Sequence, residues 1–138
     1  MDIYFNYSII RFLPYRDIGE FINIGIVIHG NDGSFSTRVV DAGYSRVYDV
    51  FPALLKGLFA QHLKPLKREL SRIETLASNC KIDAQQQLFK NLIEPGEGVF
   101  TYSQAGTLVA KDPQAALDEL FNRYIHHDFK HVASPEGK

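Results

Sequence analysis

The sequence predicts an α+β domain: an N-terminal antiparallel β-meander with a hairpin, central helices, a second short hairpin, and a C-terminal helix packed on the sheet. Three observations carry this expectation. Apolar residues alternate with period two between residues 20 and 29, they recur at helical spacing between residues 44 and 77, and Asp112-Pro113 has the chemistry of a helix start. The first pattern suits a strand with one buried side, the second a helix with one buried stripe.

Residues 3–13, rich in Ile, Tyr and Phe, predict the first strand, which Pro14 ends and Asp17-Ile18-Gly19 turns. In the next strand Ile22, Ile24, Ile26 and Ile28 fall on one face and predict its core side, with Phe21, Asn23, Gly25, Val27 and His29 opposite. Gly30-Asn31-Asp32-Gly33 tolerates positive φ and predicts a hairpin turn into a third strand at residues 34–41. Pro52 and Pro65 each lack an amide donor, so the helical stretch predicts three helices: a short one, one starting near Pro52 and one near Pro65. The last of these carries Lys67, Arg68, Glu69, Arg72 and Glu74, a solvated face with ion pairs between neighbouring turns. Asp83 predicts the cap of a helix through Ile93, ended by Pro95-Gly96, and residues 98–102 and 106–110 predict the second hairpin. After the Asp112 cap, Ala116, Leu117, Leu120, Phe121, Tyr124 and Ile125 form the buried stripe of the closing helix. Residues 1–130 read as one domain and 131–138 as a flexible tail.

The bulk numbers narrow the function classes. At 138 residues and 45% hydrophobic, the chain suits one core. Fifteen basic against sixteen acidic side chains argue against a protein that coats nucleic acid, because affinity for phosphates needs a strongly positive surface. A single cysteine, Cys80, excludes an internal disulfide and fits a reducing compartment. The first residues lack the charged and apolar regions of a signal peptide, and no apolar run approaches the roughly 20 residues that span a bilayer. The expectation is a cytoplasmic protein without a membrane partner; its oligomeric state is not written in these features.

The stretch from Tyr7 to Ile28 resembles the opening of a bacterial family known as domain of unknown function 3037. That opening is Tyr-Ser-x-x-Arg-hydrophobic-x-Pro, then x-Arg-x-x-Gly-Glu-hydrophobic-x-Asn-hydrophobic-Gly-hydrophobic. Tyr7, Ser8, Arg11, Pro14, Arg16, Gly19, Glu20, Asn23 and Gly25 stand at these positions, and Leu117 to Ile125 is similar to the family's closing helix. The resemblance names a family rather than a reaction. It implies a HipA-like kinase as the first protein partner to try.

The same corner can be read from its chemistry in two ways. As a structural element, Gly19 serves the turn, Gly25 marks a bulge or a close backbone approach, Asn23 bonds locally, and Glu20 pairs with Arg11 or Arg16. As a binding site, it depends on register. A two-residue turn at Asn31-Asp32 sets Gly25 across from Arg38 and Asn23 across from Val40. Arg38 then overhangs a glycine notch that Arg11 and Arg16 approach, an arrangement suited to a carboxylate, a phosphate or an acidic loop. Arg11, Arg16, Glu20, Asn23 and Arg38 are the candidate binding residues.

Other chemistry is weaker. His126, His127 and His131 lack the spacing of a metal site, and imidazoles near a helix C-terminus already interact favourably with its dipole. Cys80 would need a histidine base close in space and reads as a small buried thiol. No phosphate-cradling glycine loop is present, and Lys64, Lys67, Arg68 and Arg72 read as a solvated helix face. The sequence therefore points to a non-catalytic interaction protein, without cofactor or metal, that recognises an acidic or strand-like element through an arginine-lined sheet face or a strand edge. The alternative is a small enzyme or a nucleotide- or anion-binding domain using the same corner; a nucleic-acid-associated factor comes third.

Overall fold

In the computed structural model, which describes residues 2–128, the β-branched and aromatic runs form strands Ile3–Phe12 (β1), Ile22–Gly30 (β2) and Phe35–Val39 (β3). Helices Arg46–Val50 (α1), Leu58–Ser78 (α2) and Ile82–Ile93 (α3) follow, then strands Phe100–Tyr102 (β4) and Gly106–Ala110 (β5) and helix Pro113–Tyr124 (α4). The sheet is antiparallel in the order β3-β2-β1-β4, with β5 also paired to β1. This is the predicted α+β class, with its N-terminal meander, central helices and closing helix packed on the sheet. The predicted tail at residues 131–138 lies outside the described residues.

Helices cover the sheet on both sides. Under α4 lie Phe5, Ile9, Ile26 and Ile28, packed with Ala116, Leu117 and Leu120. On the other side Val27 and Phe35 pack with Ile73, Ala77 and Phe89 of α2 and α3. Val27 is 0% exposed, so the strand expected to be half-buried is buried on both faces.

Nor do the isoleucines of β2 share one face. Gly25 pairs with Ile10 and Asn23 with Arg11, which leaves Ile24 without a partner on β1. This bulge interrupts the alternation. Ile26 and Ile28 join the core under α4, whereas Ile22 and Ile24 join a core with Ile10, Phe12, Phe59 and Leu63.

The hairpin after β2 is one residue longer than expected. Gly30 donates to the Ser34 carbonyl, and Gly33 donates to the Gly30 carbonyl at a φ of 90°. Asn31, Asp32 and Gly33 thus form a three-residue loop whose last residue needs the left-handed conformation that glycine adopts freely. The register that follows sets Gly25 across from Val39, and Arg38 across from Ile26. A shift of one residue sends every β3 side chain to the opposite face.

The helices also differ in part. Pro52 lies in the turn before α2, and Pro65 sits inside a continuous helix of 21 residues. Pro65 and Gln61 are both exposed, so the carbonyl that loses its amide partner lies on the water side. Phe59, Leu63, Leu70, Ile73 and Ala77 form the buried stripe that holds the helix together across the proline. Asp83 stands in the first turn of α3 rather than at its cap. At α4 the expectation is met: Asp112 accepts from the Ala115 amide at 2.8 Å, with Pro113 beginning the helix.

The segments expected as a second hairpin form strands but do not pair with each other. They follow one another along β1, with β4 opposite residues 10–12 and β5 opposite residues 3–7. At the break Ser103 donates its amide to the Ile9 carbonyl at 2.9 Å and accepts the Ile9 amide on Oγ at 2.8 Å. Pairing both segments with β1 satisfies the backbone groups on that side of a buried strand, which a separate hairpin would leave open.

Candidate functional site

The five residues of the opening corner do not converge on one ligand. Arg16 donates to the carbonyls of Gly98 at 2.6 Å and Gly96 at 2.8 Å, tying the first loop to the loop after α3. Arg38 faces α4, where it bonds Asp118 at 2.8 Å and lies 5.6 Å from the centre of the Phe121 ring. The space expected beside Gly25 is closed, because a Cβ there would stand 2.8 Å from the Arg38 carbonyl oxygen. Gly25 thus serves both a bulge and a close backbone approach. Glu20 is exposed and pairs with neither Arg11 nor Arg16. Asn23 donates to the Tyr124 carbonyl at 3.2 Å, while its Oδ1 is buried without a hydrogen-bond partner.

Arg11 is different. Its guanidinium lies 4.3 Å from the centre of the Phe21 ring, its Nε is buried without a hydrogen-bond partner, and no carboxylate among the described residues pairs with it. Burial disfavours the charged form and lowers its pKa. Arg11 lines a cavity of about 370 Å³ with Tyr7, Ser103, Gln104, Gly106 and Tyr124. The Tyr7 and Tyr124 hydroxyls lie 3.0 Å apart, and burial, with that hydrogen bond, pushes the Tyr7 phenol up to about 12. Gly106 is needed here, since a Cβ would stand 2.5 Å from the Tyr7 ring.

The strand edges carry a second arrangement, which follows from backbone parity. Tyr4 directs its backbone toward β2, its carbonyl accepting from the Asn31 amide at 2.9 Å and its amide donating to Asn31 Oδ1 at 3.2 Å. Residues 3, 5 and 7 therefore face β5, where they pair with Ala110, Leu108 and Gly106. Thr107 and Val109 turn their N–H and C=O groups outward, and neither finds a hydrogen-bond partner among the described residues.

Beside this edge runs a groove between α3 and the β4–β5 strand line. Three cavities of about 120, 280 and 400 Å³ share lining residues along it. His29 and Gln86 belong to the first two; Lys90, Ile93 and Ala105 belong to the second and third. Tyr4 and Ile82 line one end of it and Val109 pairs with Tyr4; these large apolar side chains are exposed by 65%, 40% and 45% in turn. Gln85 fixes the wall. Its amide nitrogen donates to the carbonyls of Ala77 at 2.8 Å and Gly33 at 2.9 Å, so its oxygen accepts from Nε2 of buried His29 at 2.9 Å.

Sequence reasoning missed this edge and groove. The alternation of residues 106–110 signalled the strand, but the expected hairpin would have paired it with residues 98–102. No sequence signal distinguished Gln85 from the solvated polar residues of its helix.

The remaining candidates take structural places. Among the described residues no group of three His, Cys, Asp or Glu side chains stands where it could hold a metal ion. His126 packs edge-on against Phe121, and His131 lies outside the described residues. Cys80 is half-buried, with Sγ 3.2 Å from the Leu76 carbonyl. Arg72 pairs with Glu69 at 2.7 Å along α2, as the charge pattern of that helix predicts. No helix among the described residues is long and apolar enough to cross a membrane.

Residues 7–125 match the family described as a protein of unknown function (DUF3037). No curated protein and no solved structure matches the chain.

Proposed function

The chain belongs to the DUF3037 family, and from that premise we propose that it is a non-catalytic interaction protein whose outer strand edge receives an extended segment of a partner protein. One observation carries the reading: the outward N–H and C=O groups of Thr107 and Val109 have no partner among the described residues. Such an edge supplies main-chain hydrogen bonds to an added strand, while pockets beside it select alternate side chains. The groove along α3 and the exposed Tyr4 and Val109 provide apolar surface next to those groups.

A HipA-like kinase is the first partner to test, as the opening motif implies. The experiment is quantitative affinity purification from the native host with the wild-type chain and with Thr107→Pro. Proline removes an outward amide and blocks the edge, at a position where β1 does not use that amide. The expected result is a protein, the kinase first among candidates, retained by the wild type and lost by the variant. Recovery of no protein by the wild type, or equal recovery by both, overturns the reading.

One observation favours the second reading, an anion- or nucleotide-binding domain or small enzyme. Arg11 is half-buried in a cavity without a carboxylate partner. Arg16 and Arg38 are engaged elsewhere and add little to such a site. Calorimetric titration with inorganic phosphate and with ATP tests it: saturable heat abolished by Arg11→Gln supports the reading, and no heat removes it.

A further inference from the structure

We infer that the segment received at this edge carries an acidic side chain next to an apolar one, with the acid meeting Arg11 on the α4 side of the sheet and the apolar side chain entering the groove on the α3 side. The inference rests on the reading that the edge takes an extended segment, and it names the chemistry of that segment.

The break between β4 and β5 carries the argument. Ser103 and Gln104 line both the Arg11 cavity and the widest part of the α3 groove. The two cavities lie on opposite faces of the sheet, Tyr7 and Tyr124 marking the α4 side and Ile93 and Tyr102 the other. A strand laid along this edge sends successive side chains to opposite faces, so neighbouring residues reach the two cavities.

The cavities differ in what they accept. On the α3 side Ile93, Pro95, Tyr102 and Ala105 give the cavity of about 400 Å³ an apolar lining, with Lys90 and Glu94 also lining it. On the α4 side Arg11 is half-buried, lies 4.3 Å from the centre of the Phe21 ring, and lacks both a carboxylate among the described residues and a partner for Nε. A guanidinium in that state gains most from a carboxylate, which offers charge and paired acceptors together. Arg11 is the one charged residue among those that line this cavity, so it sets the cavity's sign.

Selection of random dodecapeptides displayed on phage tests this with the full chain. The expected peptides share an acidic residue adjacent to an apolar one. A synthetic representative should bind Arg11→Gln about tenfold or more weakly than the wild type, the size of a charge-assisted hydrogen bond. The same peptide with its acid replaced by the amide should bind both proteins alike, and Arg11→Lys, which keeps the charge, should retain part of the preference. An acidic preference that persists in Arg11→Gln, or selected peptides without one, overturns the inference and leaves strand docking standing. Peptides that bind Thr107→Pro and Val109→Lys as tightly as the wild type, with both variants folded by thermal melting, overturn the docking reading itself. Selection of no peptide overturns both.

Discussion

At the β3 edge, Thr37 turns its amide and hydroxyl out of the sheet and both meet Glu74 Oε2, at 2.7 and 3.0 Å. At the opposite edge Thr107 turns its amide outward, and it finds no partner among the described residues. An unpaired edge is a template for pairing with another chain, and proteins commonly blunt it with a charge or cover it with a helix. Here α2 does both at β3, reaching over the edge with a carboxylate that accepts the outward amide. The β5 edge has neither device, and its own Val109 and the adjacent Tyr4 of β1 are large and exposed. The contrast supports a division of labour in which one edge closes the fold and the other is left for a partner.

The largest break in this contrast comes from Gln85→Ala. The substitution leaves the Gly33 carbonyl and the Nε2–H of His29 without their partner, while the Ala77 carbonyl keeps the Cys80 amide at 3.0 Å. A loss of about 2 kcal/mol is expected from these two unsatisfied groups, measured by urea denaturation. Because Gln85 holds the wall of the groove, binding at the β5 edge should weaken as well. A smaller effect, about 1 kcal/mol, is expected for Glu74→Ala, which removes hydrogen bonds at a partly buried site. This change should also convert the closed edge into an open one, visible as concentration-dependent self-association in sedimentation velocity. If the variant stays monomeric, Glu74 is not what closes that edge. The smallest effect belongs to Arg38→Ala, whose partner Asp118 is 54% exposed. Stability should change by no more than about 1 kcal/mol, and partner recovery should not change. A large drop in recovery would return Arg38 to the binding surface.

The legible parts of this molecule were those written in short segments. Asp112-Pro113 starts α4 because a capping carboxylate and a fixed φ act within three residues of each other. The isoleucine run and the apolar stripe of α2 likewise announce a strand and a helix through their own periods. Arg11 was legible as a candidate by its residue type, but its freedom was not, since it depends on which acids the fold brings near. Arg16 and Arg38 show the reverse outcome, with carbonyls of residues 96 and 98 and the carboxylate of Asp118 already in place.

By itself the sequence determined the kind and order of the elements outside residues 44–77, where it expected a helix to begin at Pro52 and another at Pro65 and the structure has one continuous α2 after α1. Tertiary structure decided the register, the side of each residue and the state of each edge. The physical reason is the period of a strand: one extra loop residue at Gly33 moved Arg38 to the other face, and the unpaired Ile24 divided the isoleucines of β2. Whether an outward amide such as that of Thr107 stays open depends on pairing with β1, about a hundred residues earlier in the chain, which no local pattern records.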